Sequence, residues 1–237
     1  MLPLLHVPLA SAGVHLTVST YGLALLAAGL AGGVVFVRRC PASAPATSVG
    51  GVVAAGVLVG ARAAAALLHE MDGAALAGRG LSSSGAVAGG LAAALLAARA
   101  CGTPAVELLG ALAPAGLVAC GLGRIGCFLA GCCRGRPTEL PWGVVLPDLG
   151  PPARHPVQLY ETGGDLLLAV FAGGATSSGA AVRRAAVGYA LLRAGLEAVR
   201  DPAVTDRLAG GWIPLAPAVA LLLAAVVLVA PALRRAR

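Results

Sequence analysis

Long apolar runs separated by short polar segments set the pattern of this chain. Seven apolar segments cover residues 17–37, 48–68, 82–98, 104–121, 158–174, 185–200 and 212–232. A helix needs about 20 apolar residues to cross the hydrocarbon core of a bilayer, and it satisfies its own backbone hydrogen bonds there. The alternating apolar and polar positions of barrel strands are absent from these runs. The pattern therefore predicts an all-α integral membrane protein with seven transmembrane helices.

Arginines mark the ends of several predicted spans and predict an orientation. Cytoplasmic segments beside membrane spans carry an excess of basic residues. If the spans alternate in direction, eight arginines fall on one side, which we expect to be cytoplasmic: Arg38, Arg39, Arg99, Arg183, Arg184, Arg234, Arg235 and Arg237. The N-terminus is then outside and the C-terminus inside the cell.

Composition agrees with a membrane protein and disfavours nucleic-acid binding. The 237 residues are 58% hydrophobic and 11% charged, with a mean hydropathy of +0.88, whereas soluble domains have about 25% charged residues. The formal net charge is +7, and all 17 basic residues are arginine. This charge is not gathered on one soluble basic face with aromatic side chains beside it, as a nucleic-acid interface requires.

The longest polar segment covers residues 122–157 and follows the fourth predicted span. Its prolines and glycines disfavour a long regular helix, so we expect a long periplasmic loop within a single membrane-embedded domain over residues 1–237. The stretch 121–136, GLGRIGCFLAGCCRGR, combines glycines with three arginines. Glycines let the backbone approach a ligand closely, and guanidinium groups suit phosphate oxygens. The stretch thus predicts a binding loop for a phospholipid headgroup.

The sixth predicted span carries ionisable side chains at helical spacing. Tyr189, Arg193, Glu197 and Arg200 follow one another at intervals of 4, 4 and 3 residues, which places them on one stripe of a helix. Ionisable groups inside a membrane are costly and often functional. The alternative interpretation is an Arg–Glu pair within this span that holds two helices together.

Two further spans carry single polar side chains of the same kind. Arg62 lies in the second span and predicts a substrate contact, although snorkelling or pairing is the alternative. Tyr21 lies at the start of the first span, where a tyrosine either contributes to a site or anchors the helix at the membrane rim.

The fifth span presents a polar face directly after Arg154 and His155. Gln158, Glu161 and Asp165 share one side of the predicted helix, which begins after Pro156 as helices often do. The face predicts a polar cavity inside the bundle. A helix cap with satisfied contacts between helices is the alternative.

Three of the six cysteines fall within the stretch 121–136. The spacing of Cys127, Cys132 and Cys133 matches zinc-binding patterns poorly, because these pair two C-x2–4-C units or add histidines. Small buried residues, a disulfide, and a catalytic or metal role all remain open for these cysteines. For the site as a whole, we expect neither a metal nor a cofactor.

An ordered set of motifs resembles the prolipoprotein diacylglyceryl transferase family. The motifs are STYGLAL, VGAR, GLGRIGCFLAG followed by GRPTELPWGVVLP, RHPVQLYE and GYALLRAGLEAVRDP, within residues 20 to 202. The resemblance implies a seven-span enzyme of the bacterial inner membrane with its active site toward the periplasm. It also implies transfer of the diacylglyceryl group of phosphatidylglycerol to the lipobox cysteine in the signal peptide of a prolipoprotein, while glycerol phosphate leaves.

The resemblance also assigns roles to residues of this chain. Arg124 resembles the arginine of the family that contacts the phospholipid, and Arg193 resembles its essential arginine. Among the matching positions we predict Arg193, Tyr189 and Glu197 as catalytic, and we predict seven residues in substrate binding: Arg124, Tyr21, Gly135, Arg136, Arg200, Arg62 and His155.

The chain departs from the family pattern at several positions. Ser84 stands where the family has a histidine proposed for proton transfer, and Cys127, Ala130 and Cys132 stand where it has asparagine or glutamate. His155, His69 or Glu197 are the alternative proton acceptors. Two other functions stay open: a phospholipid-dependent transferase with a different acceptor, and a phospholipid-binding membrane protein without catalysis.

Overall fold

Helices account for the apolar segments of the chain. The computed structural model describes residues 5–9, 14–68, 81–147, 149–204, 207–208, 213–214, 217–225 and 227. Six α-helices run along this part of the chain: α1 (Thr20–Arg39), α2 (Ala46–Leu68), α3 (Ser83–Ala100), α4 (Ala105–Leu129), α5 (Val157–Gly173) and α6 (Ser178–Glu197). Residues 217–225 are also helical. Each of the seven predicted apolar segments therefore contains helix.

The outward faces of the helices are apolar. By length and composition, α1 to α4 can each cross a membrane. Large apolar side chains point away from the bundle on α1 and α2, such as Leu30 and Val59, and also on α5 and α6, such as Val170 and Leu191. Exposed apolar faces of this extent require a lipid environment. The chain is a multi-pass membrane protein.

Helix α4 is the centre of the bundle. It packs against α1, α5 and α6, whereas α2 packs mainly against α3. Small residues permit these close approaches, as is common between membrane helices. A Cβ atom added at Gly60 of α2 would lie 2.8 Å from the Cα of Gly89 on α3. The buried residues of α4 are likewise mostly glycine and alanine.

The predicted loop over 122–157 is wrong for its first eight residues. Helix α4 continues to Leu129, so Arg124 and Cys127 are helical. The glycines here serve helix packing instead of loop flexibility. A Cβ atom at Gly121 would lie 3.0 Å from the Cβ of Asp165 on α5, and one at Gly126 would lie 3.0 Å from the Cβ of Ala24 on α1. The non-helical segment starts only at residue 130.

Two arginine side chains donate to carbonyl groups near the end of α5. Arg39 donates a hydrogen bond to the carbonyl of Gly173 at 2.7 Å, and Arg184 donates to the carbonyl of Phe171 at 2.9 Å. Helix α6 begins at Ser178 with Ser177 as its N-cap, so the predicted start of the sixth span at residue 185 is too late. The opposite end holds the start of α1, the end of α4, the start of α5 and the end of α6.

Short strands add to the helices, although the sequence predicted none. Among the described residues, three antiparallel pairs form: β1 (Leu5–Leu9) with β2 (Val14–Val18), β3 (Val144–Leu146) with β4 (Gly150–Arg154), and β5 (Arg207–Leu208) with β6 (Ile213–Pro214). They lie before α1 or between helices, where runs of two to five residues give too little pattern to read. The β3–β4 hairpin leads directly into α5.

Candidate active site

One buried carboxylate contacts three arginines at the end of the bundle where α4 and α6 end and α5 begins. Glu161 of α5 accepts from Arg193 of α6, from Nη2 of Arg200 at 3.0 Å, and lies 3.0 Å from Nε of Arg124 of α4. The three guanidinium groups thus come from α4, from α6 and from the segment after α6. Glu161 ties these elements together at one point.

This cluster is almost completely shielded and carries more positive than negative charge. The four residues are between 0% and 8% exposed. One carboxylate opposes three guanidinium groups, which leaves two positive charges over. Buried ion pairs recover the cost of losing water only with good hydrogen-bond geometry. An excess of buried guanidinium groups is therefore a feature to expect where an anion binds.

The partner of Arg193 differs from the one that the sequence favours. Spacing along α6 suggests Glu197 as the partner, but the carboxylate bonded to Arg193 belongs to Glu161. Helix α6 ends at Glu197, so Arg200 lies beyond it, with its backbone N–H bonded to the carbonyl of Leu196 at 3.1 Å. The predicted helical stripe therefore ends before Arg200, although Arg200 still reaches the cluster.

The polar face of α5 is buried inside the bundle, and a polar cavity beside it stays a prediction. Gln158, Glu161 and Asp165 are each 1% exposed or less. Gln158 donates to the carbonyl of Cys132 at 2.6 Å, which fastens the segment after α4 onto α5. Within the described residues, neither oxygen of Asp165 accepts an N–H or O–H hydrogen bond. Asp165 is thus a second buried carboxylate, one helical turn from Glu161.

The Gly135–Arg136 pair joins the loop after α4 to the end of α6. The N–H of Arg136 donates to the carbonyl of Val199 at 2.9 Å, and its Nε donates to the carbonyl of Arg200 at 2.8 Å. Gly135 passes so close to His155 that a Cβ atom would lie 2.7 Å from the Cβ of His155. These contacts fix the backbone that carries Arg200.

Tyr21, Tyr189 and Glu197 lie on the helices that build the site. Tyr21 packs against α4, since a Cβ atom at Gly126 would lie 3.3 Å from its ring. Tyr189 is half-buried one turn before Arg193. Glu197 has a buried carboxylate oxygen at the end of α6. Their predicted roles remain predictions.

The structure does not pair Glu161 with the candidates His155 and Arg62, nor with Ser84 at the position of the family's histidine. His155 precedes α5, and its Nδ1 is 3.5 Å from the hydroxyl of Tyr160. Arg62 is exposed on α2; the arginines bonded to Glu161 are others. Ser84 lies in the first turn of α3. His69, an alternative proton acceptor, falls outside the described residues.

The carboxylate of Asp201, distinct from those of Glu161 and Asp165, organises the loop after α4. Oδ2 of Asp201 accepts from Nε of Arg134 and from Nη1 of Arg154, each at 3.1 Å. Partial burial alone would raise the pKa of Asp201, but the N–H of Ala203 and the guanidinium of Arg134 outweigh it and hold the pKa below its ordinary value. Asp201 therefore links the loop, the β3–β4 hairpin and the segment after α6 while it is ionised.

Replacing Asp201 should give an acid-sensitive loss of stability. A folded-state pKa below the unfolded value of about 3.9 contributes stability at higher pH, and this contribution is lost as the pH falls through the folded-state pKa. We expect Asp201→Asn to lower the free energy of unfolding by about 1 kcal/mol at pH 7. Thermal unfolding in detergent measures this difference, which should shrink as the pH falls below about 4. A difference that stays constant between pH 7 and pH 3 contradicts this role.

Comparison with known proteins identifies the family of this chain. The family model described as prolipoprotein diacylglyceryl transferase matches residues 8–232. The chain belongs to the prolipoprotein diacylglyceryl transferase family. The resemblance drawn from the motifs is thereby confirmed, and the Glu161 cluster lies on the segments that carry those motifs.

Individual relatives agree with the family model. Proteins named phosphatidylglycerol–prolipoprotein diacylglyceryl transferase from Agrobacterium fabrum and Methylocella silvestris are 35% and 34% identical over 68% and 71% of this chain. One from Solidesulfovibrio magneticus is 44% identical over 44% of the chain and 41% of its own length. The matches cover 64% and 65% of the first two relatives, so this member of the prolipoprotein diacylglyceryl transferase family spans just under two thirds of their length.

Sequence reasoning passed over the residue at the centre of the site. Glu161 stood among the residues of a predicted polar face and was not chosen as a site residue. The signal was its position on a helical face with Gln158 and Asp165, two groups that need polar partners when buried. These three polar residues of α5 had no assigned partners, and several arginines on other segments had none either. In this member of the prolipoprotein diacylglyceryl transferase family, the two observations together could have indicated one shared site.

Proposed function

We propose that this protein transfers the diacylglyceryl group of phosphatidylglycerol to the lipobox cysteine of a prolipoprotein. The family and the names of the relatives support this activity. The structural observation that carries it is the shared buried site in which Arg124, Arg193 and Arg200 surround Glu161 with positive charge in excess. Such a site suits the phosphate of a lipid headgroup, because guanidinium groups bind phosphate oxygens with paired hydrogen bonds.

The chemistry needs little beyond such a site. The cysteine sulfur forms a bond to the terminal glycerol carbon of the diacylglyceryl group, and the bond from that carbon to the phosphate oxygen breaks. Glycerol phosphate leaves with the electron pair, and a base receives the thiol proton. Arginines that hold the phosphate stabilise the charge that develops on the leaving oxygen. In this scheme Glu161 aligns the guanidinium groups, and the scheme needs neither metal nor cofactor.

The other predicted residues have places around this centre. Tyr189 and Glu197 lie along α6 beside Arg193, where a hydroxyl and a carboxylate can donate to substrate or accept the thiol proton. Tyr21 lies against α4, and the Gly135–Arg136 pair holds the backbone of Arg200. His155 and Arg62 are proposed as outer contacts of the lipid or the peptide.

The proposed setting is the inner membrane of a bacterium, with seven spans and the site toward the periplasm. Arg39 and Arg184 at the opposite end of the bundle support this orientation, since basic residues mark the cytoplasmic side, whereas five arginines at the Glu161 end are paired with Glu161 or Asp201. A lipobox signal peptide would then reach the Glu161 end from the periplasmic leaflet. The bilayer supplies the phosphatidylglycerol.

Purified protein in phosphatidylglycerol vesicles tests the function directly. A lipobox peptide with its cysteine should gain the mass of one diacylglyceryl group, with release of one glycerol phosphate, while the same peptide with serine at that position stays unmodified. Mass spectrometry of peptide and released phosphate measures both products. Lipid consumption without a modified peptide contradicts this acceptor and favours another one. Lipid binding without any product contradicts catalysis.

A further inference from the structure

Three thiols converge at the point where α4 ends. The sulfur atoms of Cys127, Cys132 and Cys133 all lie within 4.8 Å of one another. The chain turns back after Leu129 through Gly131, which has a φ of 69°, and the N–H of Cys132 donates to the carbonyl of Cys127 at 3.1 Å. This turn places two sequence neighbours against the last turn of the helix.

The turn is held in place from two sides. Gln158 of α5 donates to the carbonyl of Cys132 at 2.6 Å, and Nη1 of Arg124 approaches the sulfur of Cys133 at 3.8 Å. Cys133 itself has a φ of 54°, in the left-handed region that residues other than glycine seldom adopt. Tertiary contacts thus maintain a backbone conformation that brings the third sulfur into the group.

The three sulfurs are thiols of graded accessibility. All six cysteines of the chain are free. Within the cluster, Cys127 is buried, Cys133 is half-buried and Cys132 is exposed. A small ion can therefore reach the group past Cys132, whereas the other two sulfurs offer a largely dry environment. Thiolates in such surroundings select soft metal ions.

We propose that Cys127, Cys132 and Cys133 form a binding site for one thiophilic cation, Cu(I). Three ligands at about 2.3 Å from a central metal in one plane lie about 4.0 Å apart, so the observed group needs only a small contraction. In the part of the chain that the structure describes, no histidine nitrogen or carboxylate oxygen joins the three sulfurs. A three-sulfur set without a fourth protein ligand fits Cu(I) better than Zn(II), which prefers four.

The charge beside the cluster fits a thiolate site. Three thiolates and one Cu(I) have a net charge of −2, and the guanidinium of Arg124 next to Cys133 reduces this charge. Arg124 also contacts Glu161. The Cu(I) site is therefore adjacent to the proposed lipid site, although its existence does not depend on transferase activity.

Copper binding by the purified, reduced protein tests this site. Cu(I) titration against a chromophoric Cu(I) chelator should show one equivalent bound per chain, and X-ray absorption should show three sulfur neighbours. The variant C127S/C132S/C133S should lose this binding. The variant C40S/C101S/C120S removes the other three thiols and should keep it. The single variant Cys132→Ser changes only the most accessible of the three residues and should weaken binding more than about tenfold.

Several results would overturn the proposal. Equal binding by the two triple variants, no Cu(I) bound by the reduced wild-type protein, or preference for Zn(II) with nitrogen or oxygen neighbours each contradicts it. Unchanged affinity in Cys132→Ser does so as well, and this variant guards against misfolding of the triple variant. A disulfide within the cluster after anaerobic purification, detected by alkylation and mass spectrometry, would replace the metal site with a redox pair.

Discussion

Replacing Glu161 by glutamine should abolish transfer and destabilise the bundle. Glutamine keeps the shape of the side chain but removes the charge of the carboxylate that directly contacts Arg124, Arg193 and Arg200. Removal of one partner from a buried ion pair costs about 3–5 kcal/mol, because the remaining charge is buried without compensation. Chemical unfolding in detergent and the vesicle transfer assay measure the two effects. We expect both to be large.

Two comparisons isolate the charge of Glu161 from the substitution itself. Glu139 is exposed in the segment after α4, so Glu139→Gln makes the same change without burial and should leave stability within about 0.5 kcal/mol. In the double variant E161Q/R193M, one buried guanidinium is removed together with the carboxylate. This variant should unfold at a higher denaturant concentration than Glu161→Gln, yet remain inactive. Wild-type stability in Glu161→Gln would contradict the central position of this carboxylate.

Replacing Arg193 by alanine should remove activity while the protein still folds. Arg124 and Arg200 continue to pair with Glu161 in this variant, so the carboxylate keeps partners. Loss of one group that stabilises a developing negative charge costs roughly 10²–10³ in rate. In cells depleted of their own transferase, wild-type protein should support growth and Arg193→Ala should not. The vesicle assay should show the matching fall in rate.

The other end of α6 offers a matched control. Arg183 is exposed near the start of the same helix, at the end of the bundle away from Glu161. Arg183→Ala should support growth and transfer like the wild-type protein, while membrane levels of both variants are compared by immunoblot. If Arg193→Ala supports growth as well as Arg183→Ala does, the phosphate-binding role of Arg193 is wrong.

The helices could be predicted from the sequence because lipid imposes a simple rule on any segment that crosses it. A segment in hydrocarbon needs enough apolar residues to cross it and must satisfy its own backbone, so run length locates the spans, although the end of α4 and the start of α6 were misplaced by seven or eight residues. A run of glycines, in contrast, is compatible with either a flexible loop or close packing between helices. In 121–129 it predicts a loop from its backbone freedom, but it serves helix contact in the structure, where Gly121 and Gly126 lie against α5 and α1. Only the packing partner distinguishes these two uses.

The pairing of charges could not be predicted for a related reason. Spacing along α6 shows which side chains share a face, so Glu197 was the visible partner for Arg193. The actual partner, Glu161, is 32 residues away in the chain and reaches Arg193 only because α5 packs against α6. The motif resemblance supplied Arg124 and Arg193 as site residues, and the structure supplies the carboxylate between them.

The contact between Glu161 and Arg193 has a consequence for biogenesis. An ionisable side chain within a membrane helix is costly during insertion; α6 carries Arg193 in its last two turns, and α5 carries Glu161 and Asp165. Only residues 174–177 separate the two helices. With seven spans, we expect α5 and α6 to leave the insertion machinery as a hairpin in which the opposite charges already meet. Because the carboxylate is synthesised before the guanidinium, the same contact that builds the proposed site would also be needed for correct topology.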